Sequence, residues 1–213
     1  MKNVKLYDYW RSTSSYRVRI ALNLKGIEFE SIPVDLLAKQ HNQAPHLARN
    51  PQGLVPVLEI DSQQFTQSLA IIEYLDEVYP EPALLPNDAA ERARVRAICQ
   101  AIAMEIHPVC NLSVVNHVAE ISNDEDIKIK WMQHYISKGL IAVEKMLDHP
   151  STGRFCYQDQ LTIADCTLIP QLYNAERWGV DYAGLSKIRV IAQACKNIDA
   201  FTHAYPKQPQ GSA

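Results

Sequence analysis

The sequence predicts a mixed α/β unit followed by an all-helical unit. Three observations carry that division. Short β-type runs alternate with helical runs up to about residue 80, Tyr79-Pro80-Glu81-Pro82 breaks the last of those helices, and from Ala89 onward the apolar spacing is helical. Residues 1–80 are therefore expected to form one domain, 81–88 a linker and 89–213 a second domain.

Val4 to Tyr7 reads as the first strand, and Tyr16 to Lys25 as a helix that Gly26 closes. Phe29 to Val34 alternates as a second strand. Val55 to Ile60 gives a third, Asp61-Ser62 a turn, and Gln64-Phe65 a short fourth. Ser68 to Val78 carries Leu69, Ile71, Ile72 and Leu75 at helical spacing. The order is β-α-β, an irregular stretch, then β-β-α. Helices are expected over 89–108, 110–120, 125–148, 162–177 and about 185–203, with Gly153, Gly179 and Gly184 as interruptions. Residues from Pro206 to Ala213 read as a frayed end.

Composition narrows the function classes. With 47% hydrophobic and 21% charged residues, the 213-residue chain has the balance of a globular protein with a substantial core. Its net charge is only −3, and both signs interleave along the whole length, so no basic stripe favours nucleic acid or a membrane surface. No apolar run approaches the ~18 residues of a spanning helix, and MKNVKLYDYW lacks a signal-peptide core. Five cysteines, at 99, 110, 156, 166 and 195, form no C-x-x-C pair, and the seven histidines form no H-x-x-x-H cluster. Reduced, structural thiols, a cytoplasmic location and no metal are the expectation.

Four segments carry chemistry. Ser12, Thr13, Ser14 and Ser15 stand between a strand and an Arg-studded helix. Free N–H groups and the dipole of a helix start favour an anion or thiolate there, and hydroxyls add donors. The same residues also make an ordinary helix cap. Val55-Pro56 opens a strand, where a proline is tolerated; a cis bond would leave the Val55 backbone groups to pair with a peptide-like ligand, and a trans bond would simply start the strand. Gln67-Ser68 opens a helix with Ser68 as its expected cap, a place to hold a carboxylate or a plain helix start. Thr162 and Asp165 form a variant capping box, read as structural.

In combination these features resemble the thioredoxin-like glutathione-binding domain, a βαβ-ββα unit on a mixed sheet. With the helical second half and its Thr-Ile-Ala-Asp, the whole chain resembles the glutathione transferase fold. The run from Trp10 to Leu22 is similar to the signature of the zeta class. So are Asn50-Pro51 with Leu54-Val55-Pro56, the run from Gln67 to Leu75, Ile106-His107-Pro108 with Asn111-Leu112-Ser113-Val114, and Asn174-Ala175-Glu176-Arg177 with Val180-Asp181. One departure stands out: the family usually has cysteine where this chain has Ser14, so the sulfur in any thiol chemistry is expected to belong to glutathione.

The resemblance implies a glutathione-dependent cis–trans isomerase of a cis-diketo dicarboxylic acid, maleylacetoacetate before the shorter maleylpyruvate, with a homodimeric subunit. A thiolate adds to the conjugated double bond, the new single bond rotates, and the thiolate leaves. By this resemblance Ser12 donates to the sulfur with Thr13 and Ser14 in support, while Val55 and Pro56 meet the cysteinyl backbone of glutathione. Gln67 and Ser68 hold its γ-glutamyl carboxylate, and Ser15, His41, His107, Asn111 and Ser113 line the pocket. The family more often has Gln where His41 and His107 stand, and an imidazole at either place would titrate near physiological pH. Arg11 and Arg177 are the expected cations for the substrate and its developing oxyanion. Arg17 and Arg19 read as solvated or salt-bridged arginines, although the backbone of Arg17 is implied to touch glutathione. A general transferase acting on small electrophiles such as α-halo acids, and a non-catalytic module of the same fold, are the other readings.

Overall fold

A computed structural model describes residues 4–208. The chain divides into two compact units, the first running to Ala83 and resumed from Ile198, the second spanning Leu84–Asn197.

In the first unit, strand β1 (Lys5–Asp8) lies at the centre of the sheet order β2-β1-β3-β4, with β2 at Glu30–Pro33, β3 at Val57–Ile60 and β4 at Gln63–Thr66. β1 pairs parallel with β2 and antiparallel with β3, and β3 pairs antiparallel with β4. The sheet is mixed because the β1-to-β2 connection crosses over through helix α1 (Thr13–Leu24), while β3 and β4 are joined by the tight Asp61-Ser62 turn. Both turn residues have positive φ, a conformation that short polar side chains tolerate better than bulky ones. Leu6, Val57, Leu58 and Ile60 from the sheet, Val18, Ile20 and Leu22 from α1, and Ile71, Ile72 and Leu75 from α3 (Ser68–Val78) are all buried. The irregular stretch between β2 and β3 holds a 3-10 turn at Gln40–Asn42 and a short helix α2 (Ala44–Leu47), neither of which the sequence pattern predicts.

The expected 185–203 helix is two helices, α8 (Ser186–Lys196) and α9 (Asp199–Ala204). The expectation that the second domain runs to 213 is corrected here, because α9 packs on α1 in the first unit. Tyr16, Arg19 and Asn23 are spaced to share a face of α1, and each donates to a carbonyl of α9. Tyr16 Oη reaches Phe201 O at 3.4 Å, Arg19 Nε reaches Ala204 O at 3.1 Å, and Asn23 Nδ2 reaches Ala200 O at 3.0 Å. Pro206, expected to fray, is buried, and residues 209–213 of that stretch lie outside the described residues.

The other end of α1 is tied by Lys25. Its side chain is wholly buried, and its ammonium donates to Asp76 Oδ1, Tyr79 O and Pro82 O, each at 2.6 Å. Three donors meet three acceptors, so the buried cation is satisfied. Lys25→Met is expected to destabilise the fold by about 3 kcal/mol, because it takes a buried cation away from the Asp76 carboxylate and from two carbonyls. Urea unfolding checks this, and a loss below about 0.5 kcal/mol would show the bridge to be idle.

The second unit is helical: α4 (Ala89–Gln100), a π-helical turn (Ala101–Ile106), α5 (Leu112–Ile121), α6 (Ile127–Leu147), α7 (Ile163–Arg177) and α8. The expected 89–108 helix thus changes winding after Gln100, and His107 N–H reaches back five residues to Ile102 O at 2.9 Å. Gly139 of α6 faces this turn closely enough that a Cβ would collide with Ile106, so glycine permits the approach. α7 starts on the predicted capping box: Asp165 accepts from Thr162 N and Oγ1 at 2.8 and 2.9 Å, and also from Cys156 N at 2.9 Å. Burial raises the Asp165 pKa, and the donated hydrogen bonds oppose that rise.

Candidate active site

Ser12 is the N-cap of α1. Its backbone is extended, its Oγ accepts from Ser15 N at 3.2 Å, and its carbonyl accepts from Tyr16 N at 2.9 Å. Capping and catalysis do not compete here, since the oxygen accepts from the helix while the hydroxyl hydrogen stays available to a ligand. Thr13 and Ser15 are buried and Ser14 half-buried. The Ser15 hydroxyl has no hydrogen-bond partner among the described residues. Arg11, just before the cap, lies with its guanidinium 5.4 Å from the Trp10 ring centroid and 5.9 Å from that of Tyr9, a stacked cation rather than a solvated one.

Arg17 and Arg19 have different fates. Arg19 is the salt-bridged arginine expected: Nη1 meets Asp8 Oδ2 at 2.7 Å and Nη2 donates to Trp10 O at 3.0 Å. Burial raises the Asp8 pKa, and Arg19 opposes the rise by charge and hydrogen bond. Arg17 is not a surface group. It is 1% exposed and donates from Nη1 to Ser68 Oγ at 3.2 Å, which carries its charge to the start of α3. Arg17 sits one turn into α1 on the buried face, two residues from Arg19, and that one difference in facing separates the two.

At the start of α3 the cap is Gln67 rather than Ser68, which is the first helical residue. No side chain caps this helix, so its first N–H groups are left for another acceptor. Gln67 holds φ +67°, unusual for a residue with a side chain, and its Nε2 donates to Gln52 Oε1 at 2.8 Å. The Val55-Pro56 bond is cis. The residue before it is fixed from one side, because Leu54 O accepts from Asn50 Nδ2 at 2.8 Å and lies 3.0 Å from His46 Nε2. Sequence reasoning missed His46 and Gln52 in these supporting roles; the Asn50-Pro51 pair was the one signal available. Gly53 has positive φ and packs so close that an added Cβ would stand 3.0 Å from Asn42 Oδ1 and 3.2 Å from His41 O, which brings the His41 turn beside the Val55 segment. Burial lowers the His41 pKa, with the charges of His46 and Lys39 adding to it, so its surroundings favour the neutral imidazole.

The first unit therefore gathers the hydroxyl run, the Val55 segment and the start of α3. A cleft of about 630 Å³ at the far end of α1, lined by Gly26, Phe29 and His203 among others, carries none of the candidate residues. In the second unit Asn111 caps α5, its Oδ1 accepting from Ser113 N at 3.1 Å and Ser113 Oγ at 3.2 Å, with His107 one turn earlier. Arg177 stands on another helix, in the last turn of α7, where the dipole favours a cation, and its Nη1 donates to Asn174 Oδ1 at 3.3 Å. All five cysteines are free and buried, and burial pushes the Cys110 thiol up to about 11 and those of Cys156 and Cys195 upward as well. These are poor nucleophiles. Among the described residues no group of three or more His, Cys, Asp or Glu is placed to hold a metal, and no helix is long and apolar enough to cross a membrane.

Residues 2–77 match the glutathione S-transferase N-terminal domain. The chain is 43% identical to a bacterial glutathione S-transferase of the zeta class, a maleylpyruvate isomerase solved in its holo form. That likeness covers 98% of this chain and 100% of the other, at a TM-score of 0.93. The chain belongs to the zeta-class glutathione transferases. Within the family it is 57% identical to the maleylacetoacetate isomerase of Rhizobium meliloti over 94% of this chain and 95% of the relative. It is also 42% identical to the maleylacetoacetate isomerase of Anaeromyxobacter dehalogenans, solved with glutathione in its active site, over 99% of each chain at a TM-score of 0.88.

Proposed function

We propose that this protein isomerises maleylacetoacetate to its trans isomer, fumarylacetoacetate, with glutathione as cofactor. The observation that carries the reading is Ser12 at the N-cap of α1, its oxygen engaged by Ser15 N–H and its hydrogen left to donate. The residues present fit glutathione: a hydroxyl donor at a helix start for the sulfur, and an uncapped α3 with the buried Arg17 cation beneath Ser68 for a carboxylate. Glutathione, when bound, supplies a thiolate whose reversible addition makes the conjugated double bond temporarily single.

The protein contributes four things. Ser12 donates to the sulfur and favours its anionic form, with the α1 dipole and Thr13 and Ser14 in support. Val55 and Pro56 present backbone to the peptide part of the cofactor. Gln67, Ser68 and Arg17 hold the γ-glutamyl carboxylate, with Ser15, His41, His107, Asn111 and Ser113 as further lining. Arg11 and Arg177 hold the substrate carboxylate and the developing oxyanion. A homodimer in the cytoplasm belongs to the same proposal. The compartment is supported by five buried cysteines outside any disulfide, which suit a reducing environment, and the homodimer only by the family resemblance.

The test follows loss of maleylacetoacetate and of maleylpyruvate with and without glutathione. Turnover of maleylacetoacetate that depends strictly on glutathione is expected. Turnover that persists without it would overturn the mechanism, and a preference for maleylpyruvate would transfer the assignment to the shorter acid.

A further inference from the structure

Helix α7 is buried on nearly every side, yet Thr167, Gln171 and Asn174 follow one another along one face, with Arg177 at the exposed end. Thr167 is satisfied inside the helix, its Oγ1 donating to Ile163 O at 2.7 Å. Asn174 accepts from Arg177. Gln171 differs from both. It is fully buried, and neither its amide nitrogen nor its amide oxygen has a hydrogen-bond partner among the described residues. An unpaired buried amide is costly, and leucine or methionine would fill the same space without that cost. Packing alone does not explain a glutamine here.

The neighbouring residues suggest what the amide is for. Side chains at i and i+3 of a helix are neighbours, and a Gln–Asn pair at this spacing can hydrogen-bond. The bond from Arg177 Nη1 to Asn174 Oδ1 is 3.3 Å, longer than the usual N–H···O distance of about 2.9–3.0 Å and so easily given up. If Arg177 turns to a substrate carboxylate, the Asn174 oxygen loses that donor in a buried setting. We propose that Gln171 is a positioning residue whose amide N–H takes over Asn174 Oδ1 when Arg177 engages the substrate. Each state then keeps one N–H···O bond to Asn174, from Arg177 in the free protein and from Gln171 in the loaded one, and no proton changes hands. The inference rests on the reading that Arg177 holds a substrate carboxylate.

The test uses Gln171→Met and, as a second apolar variant, Gln171→Leu, each in the native and in the Arg177→Ala background. Melting temperature and the kcat and KM for maleylacetoacetate are measured at saturating glutathione. In the native background the variants are expected to melt at or above the parent, to raise the substrate KM about tenfold, and to leave the glutathione KM unchanged. In the Arg177→Ala background they are expected to add nothing, since there is no donor left to replace. A KM within twofold of the parent, a loss that appears only with a lowered melting temperature, or an equal further loss without Arg177 would each overturn the relay. If Arg177→Ala itself leaves the substrate KM and turnover unchanged, the reading of Arg177 fails and the relay with it. A normal Arg177→Ala effect beside silent Gln171 variants defeats the relay alone.

Discussion

Ser12→Ala is expected to cut turnover of maleylacetoacetate about 10²–10³-fold near neutral pH, the usual cost of losing a hydrogen bond aimed at developing negative charge. The substitution removes two things at once, because Ser12 Oγ also caps α1 by accepting from Ser15 N. The cap alone is worth about 1 kcal/mol of stability, which is too little to unfold a domain of this size. Ser12→Asp separates the roles. A carboxylate caps a helix as well as serine does but cannot donate to a thiolate and repels it. The aspartate variant should therefore melt like the parent and lose at least as much turnover as the alanine variant. The pH profile gives an independent reading. An unassisted thiol ionises at higher pH, so the deficit of Ser12→Ala should shrink as pH rises toward the ordinary thiol value of about 8.5. Parent-like turnover in Ser12→Asp, or a deficit that does not change with pH, would leave Ser12 as a helix cap and nothing more.

The ease of reading such a site from sequence differs from element to element. α3 was legible to the residue, Ser68–Val78, because its apolar spacing is strong and Tyr79-Pro80 stops it. β2 was legible as a strand but two residues too long, the ordinary uncertainty at element ends. The π-helical turn after Gln100 was not legible, since the Ala-Ile-Ala-Met-Glu-Ile run satisfies α and π winding equally well. α9 was visible as helix but not as part of the first unit. Periodicity shows that a face is apolar, while the identity of its partner depends on carbonyls of α9 lying opposite Tyr16, Arg19 and Asn23, more than 170 residues away in sequence.

The site divides in the same way. The hydroxyl run, Val55-Pro56 and Gln67-Ser68 are local patterns and were found as such. Arg17 was misplaced at the surface because an arginine beside another arginine in an amphipathic helix reads as a solvated pair. Its burial follows from contact with Ser68, which no local window contains. The capping residue of α3 was misassigned for a related reason: serine is the better cap by preference, but Gln67 takes the non-helical, positive-φ cap position and Ser68 begins the helix. Gln171 gave no signal, since a glutamine in a helix is unremarkable until its burial is known.

Arg177→Ala is expected to lower kcat/KM for maleylacetoacetate about 30- to 150-fold while leaving the glutathione KM within twofold. A hydrogen bond between charged groups contributes about 1.5–3 kcal/mol, and a guanidinium fork can make two to one carboxylate. Stability should hardly move, because Arg177 is exposed in the last turn of α7 and its bond to Asn174 is long. Arg177→Lys keeps the charge without the planar fork, so it should recover part of the loss and no more. That intermediate result separates recognition of a carboxylate from a diffuse electrostatic effect, for which lysine would serve as well as arginine. The nearby aromatic rings of Tyr173 and Trp178, whose centroids lie 5.9 and 6.0 Å from the guanidinium carbon, limit where the fork can point. Trp178→Ala should therefore raise the substrate KM less than Arg177→Ala does, with kcat changing little. Full activity in Arg177→Ala would remove this arginine from substrate recognition and leave Arg11 as the cation for the diketo acid.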